Sequence, residues 1–339
     1  MTLRSYVVSR LLLTIPMIML LVTLVFIILR IVPGDPASLH FEKHVDPVVL
    51  AAFRHEFGLD LPIWEQYVNY LASLFRLDLG VSMGSSRTPI VYAIVTRFPA
   101  TLELAIYSML FAVLFGIALG IKSSKKYGSA TDTSIRLFGI ITYAIPVFFL
   151  GSVLQIIFAV WLHWVPSGGR FENAFLAYQP PTITGLYTID SLLTGNLFAF
   201  VVSLKCLILP SVTLGTVLCG IFVRLTRTNM LETLRMDFVV AAEARGLPEN
   251  VVTMSYAFKN AFLPILTMIG LQFAALLAGA VLTETTFNWQ GLGTFLVDSI
   301  NSRDYTAVQG IVVFFGVLVT LVSLVVDLFY AYLDPRIRL

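Results

Sequence analysis

The sequence predicts an all-α membrane protein with six transmembrane helices. Three observations carry that expectation. Of the 339 residues, 58% are hydrophobic and only 12% charged, against roughly 25% charged in an ordinary soluble domain. The apolar residues gather in six long runs, and lysine and arginine concentrate in alternate connections between them. Crossing a hydrocarbon core of about 30 Å takes about 20 largely apolar residues in helical form.

The runs fall at Leu11 to Leu29, Leu104 to Ile121, Leu137 to Trp164, Cys206 to Val223, Ala261 to Thr283 and Tyr305 to Val326. The first follows Arg4 and Arg10 as a signal peptide would. It is longer than the usual apolar core of such a peptide and ends in Arg30-Ile31-Val32-Pro33-Gly34-Asp35-Pro36 without a small-residue cleavage site, so it is expected to remain as a span. The third holds Pro146 and is too short for two spans and a turn, which implies tilt or a kink. Before the fourth, apolar residues resume at Leu197 and are interrupted by Lys205 and Pro210, which leaves room for a short interfacial helix before the span proper. Val32 to Pro99 is polar enough for an external subdomain, punctuated by Pro47, Gly58, Pro62, Gly80, Gly84 and Pro89. Within it, Val48 to Phe57 and Trp64 to Phe75 read as short amphipathic helices. The organisation expected is an N-terminal span over 1–31, an extracytoplasmic segment over 32–98, and a membrane core over 99–339 with five spans and a cytoplasmic loop at 224–260.

Orientation follows from the basic residues, which resist translocation. Lys122, Lys125, Lys126 and Arg136 stand between spans two and three, and Arg224, Arg227, Arg235, Arg245 and Lys259 between four and five. Both loops are expected in the cytoplasm. The connections Val165 to Lys205 and Glu284 to Asp304 carry few basic residues and belong outside. Arg4 and Arg10, with Arg336 and Arg338, then place both termini inside, as an even number of spans requires.

The chemistry absent from the chain narrows its class. A net charge of +2 lacks the concentrated basic face of a nucleic-acid-binding protein. No GxxxxGK[ST] phosphate loop, HExxH or GxSxG occurs, and Gly291-Leu292-Gly293 lacks the third glycine of a dinucleotide fingerprint and reads as an external turn. No cofactor is implied. Cys206 and Cys219 lie thirteen positions apart in one apolar run, about 20 Å along a helix, and cannot bridge each other. The His40/His44 pair has the only helical spacing a metal would use, and reads better as solvated loop histidines. Ionisable residues are expected at span ends, with Glu103 and Glu284 outside and Asp327 inside, which argues against a proton-coupled carrier. The polar residues deeper in the spans include Gln155, Thr142, Thr267 and Gln272. Each read singly favours helix-to-helix hydrogen bonding, yet a translocation path has to be drawn from such residues, and Gln155 and Gln272 are its candidates. Gly116 and Gly120 have GxxxG spacing, a weak pattern by itself.

The loop between spans four and five is the most informative segment. Phe238-Val239-Val240-Ala241-Ala242-Glu243-Ala244-Arg245 is a helix-forming run of small and charged residues stopped by Gly246 and Pro248. Such a helix suits close approach to another protein, and a lipid-surface helix would look similar. Ala241-Ala242 with Gly246 resembles the EAA loop of ABC-importer permeases, and Lys259-Asn260-Ala261-Phe262-Leu263-Pro264 is similar to its continuation in the dipeptide and oligopeptide branch. Further pieces resemble that branch in order: Pro33-Gly34-Asp35-Pro36, Gly58-Leu59-Asp60 with Pro62, Asp78-Leu79-Gly80, Ala100-Thr101-Leu102-Glu103-Leu104, Arg224-Leu225-Thr226-Arg227, Thr283-Glu284-Thr285 with Phe287, Gly291-Leu292-Gly293, Arg303-Asp304-Tyr305 and Asp334-Pro335-Arg336-Ile337-Arg338. Val240 stands where the general motif has glutamate, and Gly246 to Pro264 is longer than in sugar permeases, both as in the peptide branch.

The resemblance implies the type I ABC importer permease fold in a bacterial cytoplasmic membrane. It implies a heterodimer with a second, homologous permease subunit, two cytoplasmic ATP-binding subunits and an extracytoplasmic peptide-binding protein. Ala241, Ala242, Glu243, Ala244, Arg245 and Gly246 would then form the ATPase-coupling helix. The segment after Pro36 would contact the binding protein, and the cargo would be dipeptides or short peptides, with haem, glutathione or a nickel complex as alternatives in the same family. Thr184-Gly185-Leu186 and Ile189-Asp190 look most like dipeptide permeases. A secondary transporter and a structural membrane protein are the readings from other classes.

Overall fold

The computed structural model describes the backbone of residues 3–31, 37, 46–84 and 87–333. The His40/His44 pair, the Pro33-Gly34-Asp35-Pro36 motif and the Asp334 to Arg338 motif lie outside the described residues, as do the side chains of Arg4, Arg10 and Asp327. Among the described residues the regular structure is helical, with one isolated β-bridge between Val81 and Pro89. The chain opens with α1 (Leu3–Ile31). The two short helices expected in the polar segment follow as α2 (Pro47–Glu56) and α3 (Ile63–Phe75). Asp46 caps α2 by accepting from Val48 N, with Pro47 at the position where a missing N–H costs nothing.

The bundle proper consists of α4 (Ile90–Lys125), α5 (Ala130–Ala144), α6 (Val147–Leu154, continuing as a π-helical stretch Gln155–Trp161), α8 (Leu197–Leu234), α10 (Lys259–Gly279) and α13 (Tyr305–Leu333). Short helices join them: α7 (Tyr187–Leu193), α9 (Asp237–Ala244), α11 (Val281–Thr286) and α12 (Leu292–Asn301). Among the described residues, five helical segments are long and apolar enough to cross a membrane, and α5 with α6 makes a sixth if that pair, bent by 103°, counts as one span.

Three expectations about the spans change. α4 begins at Ile90, well before Leu104, because Ile90 and Ile94 are buried against Leu292, Ala307, Ile311 and Phe315 from α12 and α13. Glu103 therefore lies inside a helix, away from its end. The third run is broken where a kink was expected: Pro146 disfavours the helical region for the residue before it, and Ile145 is extended at φ −76°, ψ 127°. No separate interfacial helix forms over Leu197 to Pro210. α8 runs unbroken through Lys205 and Pro210 for 38 residues, about 57 Å, far beyond the hydrocarbon thickness.

α8 is the axis of the bundle, touching α4, α5, α6, α7 and α10. Its approach to α4 is set by residues without side chains. A Cβ on Gly116 would lie 2.5 Å from Phe222 Cβ, and one on Gly120 would lie 2.5 Å from Thr226 Cβ. The Gly116/Gly120 spacing thus marks the central helix crossing, with Leu104, Ala105, Ala112, Cys206, Leu207 and Phe222 buried around it. On α5, Gly139 meets Gly220 of α8, where a Cβ on Gly220 would stand 2.5 Å from the Gly139 carbonyl oxygen. α1 sits at the periphery against α13 and leaves Leu12, Leu13, Ile15, Leu20, Leu24 and Ile28 exposed, the surface of a lipid-facing helix.

Gly220→Ala places its methyl group against main chain that cannot turn aside. It is expected to destabilise the protein by about 1–3 kcal/mol, the usual cost of overpacking. Thermal unfolding of the detergent-purified protein reads this directly, and an unchanged unfolding temperature would mean that α5 and α8 do not approach so closely.

Candidate functional site

At the end of the bundle where α4 and α8 finish, α9 is seated on the chain by two of its own side chains. Val239 and Ala242 are buried with Met230, Val252, Ala257 and Ala261, and Leu234 and Tyr256 pack around them. Lys125, on the last turn of α4, pairs with Glu249 at 2.9 Å and ties the same end together. The face turned away from this seat carries Phe238, Val240, Ala241, Glu243, Ala244 and Arg245, all exposed. Of the six residues singled out in this helix, Ala242 alone is internal, at 1% exposure. Gly246 ends the element with φ +74°, and a Cβ there would meet nothing within 4 Å. The glycine is required by its left-handed backbone, since no neighbour crowds it.

Asp132 and Arg227 lock the same end. Arg227 Nε and Nη2 donate to the two Asp132 oxygens at 2.7 and 2.8 Å, and Gly128 N donates to Oδ2 at 3.1 Å. The Ser123 hydroxyl also donates to Oδ1. The aspartate is 1% exposed, so the second arginine of Arg224-Leu225-Thr226-Arg227 neutralises a buried carboxylate that ties α5 to α8.

The opposite end of the bundle holds two further buried carboxylates that sequence reasoning had placed at span ends. Glu103 accepts from Arg170 Nη2 at 2.9 Å, from Thr188 N at 2.8 Å and from the Thr188 hydroxyl at 2.7 Å. Arg170 also donates to the Gly185 carbonyl at 2.7 Å and lies 3.9 Å from the centre of the Tyr187 ring. Asp190 fixes the turn that supplies that carbonyl by accepting from the backbone amides of Ile183, Thr184 and Gly185. Burial acts to raise the Asp190 pKa, but these bonds and one from the Thr184 hydroxyl outweigh it and hold the carboxyl below its usual range.

Glu284 forms the second knot. The Thr101 hydroxyl donates to its Oε1 and Thr294 N donates to Oε2 at 2.9 Å, while Leu292 N donates to the Thr101 oxygen at 2.9 Å. Trp289 Nε1 closes the knot on the Ala100 carbonyl at 2.8 Å. Gly291-Leu292-Gly293, expected to be an external turn, is the cradle of this carboxylate at the start of α12: a Cβ on Gly291 would lie 2.4 Å from Glu284 Oε1. Side chains at these positions would occupy the space the carboxylate needs.

The candidate path residues separate. Gln155 Nε2 donates to the carbonyls of Ser167 and Thr286 at 2.6 and 3.1 Å, so it fastens the π-helical end of α6 to α11. Gln272 is half-buried on α10 and has no hydrogen-bond partner among the described residues. No group of His, Cys, Asp and Glu among the described residues has the geometry to hold a metal, and both cysteines are free and buried.

Sequence reasoning missed the networks of Glu103, Asp132, Asp190 and Glu284. A trace of them was present: the short motifs Ala100 to Leu104, Thr184 to Leu186, Thr283 to Thr285 and Gly291 to Gly293, scattered along the chain, meet in these contacts.

A helical bundle with several helices long and apolar enough to cross a membrane defines an integral membrane protein. The chain belongs to the family described as binding-protein-dependent transport system inner membrane component, whose model matches residues 112–339, and the N-terminal model of the same family matches residues 3–105. Among its relatives, the di/tripeptide transport system permease protein DppB of Pseudomonas aeruginosa is 41% identical over 98% of both chains. The dipeptide transport system permease protein DppB of Escherichia coli K12 is 38% identical, again over 98% of both. The glutathione transport system permease protein GsiC of Pectobacterium atrosepticum is 35% identical over 98% of this chain and 99% of its own. The chain is thus a multi-pass protein of the bacterial inner membrane.

Burial pushes the Glu284 carboxyl up to about 7 from its ordinary 4.5, against the lowering effect of the bonds from Thr101, Thr294 and Gly293. Between about 4.5 and 7 the folded protein keeps a proton that the unfolded chain has released, so stability falls as pH rises through that window. Thermal unfolding of the purified protein from pH 5 to 8 should show this decline. Glu284→Gln, which keeps the size and most of the bonds, should flatten it; the same slope in both proteins would assign the pH dependence to other groups.

Proposed function

We propose that this chain is one permease subunit of an ATP-driven importer that moves dipeptides or short peptides across the cytoplasmic membrane by alternating access. The observation that carries the reading is end-to-end similarity at 38–41% identity to two proteins named as dipeptide or di/tripeptide permeases. The relative named as a glutathione permease supports glutathione, itself a short peptide, as the second reading. Uptake of a labelled dipeptide and of labelled glutathione by cells expressing the complete transporter decides between them. Dipeptide uptake, competed by excess dipeptide and not by glutathione, is the expected result.

In this proposal the chain crosses the membrane six times, α5 and α6 forming one broken span, with both termini in the cytoplasm. It comprises the N-terminal span 1–31, the extracytoplasmic segment 32–98 and the permease core 99–339 with its coupling loop 224–260. It pairs with a second, homologous permease, and two separate cytoplasmic subunits hydrolyse ATP. An extracytoplasmic peptide-binding protein delivers the cargo. The basic residues near α9 support the orientation. A cysteine at exposed Lys126 is expected to react only with reagent supplied from the cytoplasm, and one at Asn173 only from outside. Asn173 is the better external probe because its neighbour Phe171 is buried, at 6% exposure. Labelling of Lys126→Cys from outside would overturn the orientation.

The exposed face of α9 docks on the ATPase, with Ala241, Ala244 and Arg245 as the contact, Glu243 beside them, and Gly246 setting the exit of the chain. Ala242 contributes by seating the helix on α8 and the segment before α10. ATP-driven closure of the ATPase pair then moves α8 and α10 together, a rigid-body change driven by contacts that differ between two states. Ala241→Trp is expected to abolish most of the ATP hydrolysis stimulated by loaded binding protein while leaving membrane insertion intact. Gly246→Val adds strain of about 1–2 kcal/mol at a positive φ and is expected to weaken stimulation less. Normal stimulation and normal co-purification of the ATPase in both variants would remove α9 from the coupling mechanism. The proposed path residues divide: Gln272→Ala is expected to lower transport without affecting assembly, whereas Gln155→Ala acts through the fold.

A further inference from the structure

Where α1 ends, Arg30 forms no ion pair with any described residue, although Asp78 lines the same cavity. The Arg30 guanidinium lies 4.2 Å from the centre of the Phe26 ring and 5.5 Å from that of Tyr305. Its Nε and Nη2 donate to Gln66 Oε1 at 3.3 and 3.2 Å. Its Nη1 is buried and has no partner, and no carboxylate among the described residues pairs with it. Two more buried groups on the same cavity of about 210 Å³ are without partners, the Tyr70 hydroxyl and Gln309 Nε2. Gln309 is only 6% exposed. Unpaired buried donors are rare because each has given up its hydration for nothing. Three of them around one cavity, one carrying a full charge, make a site for an oxyanion.

The helices that flank the cavity point to the source of that anion. α3 is tied to α1 by the Tyr67 hydroxyl, 2.7 Å from the Thr23 hydroxyl, and by Tyr67 and Tyr70 against Phe26. Thr23 stands eight residues before Ile31, so α3 packs about 12 Å down a helix that spans the membrane. At that depth α3 leaves Trp64, Val68 and Phe75 exposed, and the adjoining face of α1 leaves Leu24, Ile27 and Ile31 exposed. These surfaces suit acyl chains, with Trp64 at the level where indoles gather in a bilayer. Asp78, exposed, also lines the cavity and accepts from Gly80 N at 2.8 Å, which leaves its second oxygen to meet a cation beside the anion.

We propose that this cavity binds the headgroup phosphate of a zwitterionic aminophospholipid in the leaflet opposite the basic loops. Arg30 Nη1, the Tyr70 hydroxyl and Gln309 Nε2 donate to its oxygens, and Asp78 receives its ammonium. The lipid fastens α3 to α1 and the start of α13, and this role is independent of the transported cargo.

The test uses the complete transporter purified from membranes, stripped of lipid with detergent and titrated with phosphatidylethanolamine, with inorganic phosphate or with a dipeptide. Native mass spectrometry counts retained lipid, and thermal unfolding reports stabilisation. Tyr70→Phe and Gln309→Leu remove donors that have no partner inside the protein, so without a ligand both variants would be as stable as the parent or more so. With the lipid bound, each is expected to weaken retention about tenfold, the loss that follows from one hydrogen bond to a charged group, while the complex still elutes intact. Equal retention in parent and both variants would overturn the proposal. So would stabilisation by inorganic phosphate or by dipeptide, abolished in the variants, with none from the phospholipid.

Discussion

The close approach of α4 and α8 is the constraint on which the rest of this bundle depends. Their axes come together because Gly116 and Gly120 offer no side chain to Phe222 and Thr226, and Gly215 none to Ser108 and Phe111. In a membrane, apolar side chains gain little by leaving lipid for protein, so helices hold together through dense packing and polar contacts. Once α4 and α8 meet, Gly220 brings in α5 through Gly139, and the turn before α7 is carried over Pro99 and Glu103 within α4. Glycine contacts of this kind fix where the three helices stand.

The second requirement is the disposal of charge. Glu103, Asp132, Asp190 and Glu284 are all buried. An uncompensated carboxylate at such depth is strongly unfavourable, and each is answered differently: Asp132 and Glu103 by an arginine, Asp190 by three backbone amides, and Glu284 by a hydroxyl and the amides at the start of α12. These networks join residues up to 191 positions apart in the chain and so couple the short connecting helices to the long ones. They also explain why a chain with few charges keeps several inside: each fixes the relation between two elements.

At the other end, α9 divides its residues between two tasks. Val239 and Ala242 hold it to the bundle, and the remaining small side chains form its outer face. Held from beneath, α9 is packed against α8 and the π-helical Val252–Phe258 stretch that leads into α10, so the docking proposed for its outer face would act on both. The substitutions that probe docking and those that probe seating are therefore different ones.

The sequence by itself determined the class of the protein, the position of most spans, the short helices before α4 and the helix between spans four and five, because apolar run length, basic loops and glycine or proline stops are local properties of a chain. The family motifs were legible there too, as separate short pieces. Tertiary structure alone decided what those pieces do. Neither the burial of Glu103 nor the cradle of Gly291 and Gly293 around Glu284 follows from periodicity, since each depends on partners brought by other helices. Periodicity likewise left open whether Pro146 and Pro210 bend their helices. Pro210 sits within α8, packed on all sides, while Pro146 stands where the chain turns by 103°. A proline weakens a helix locally, and the surrounding packing determines whether the helix continues.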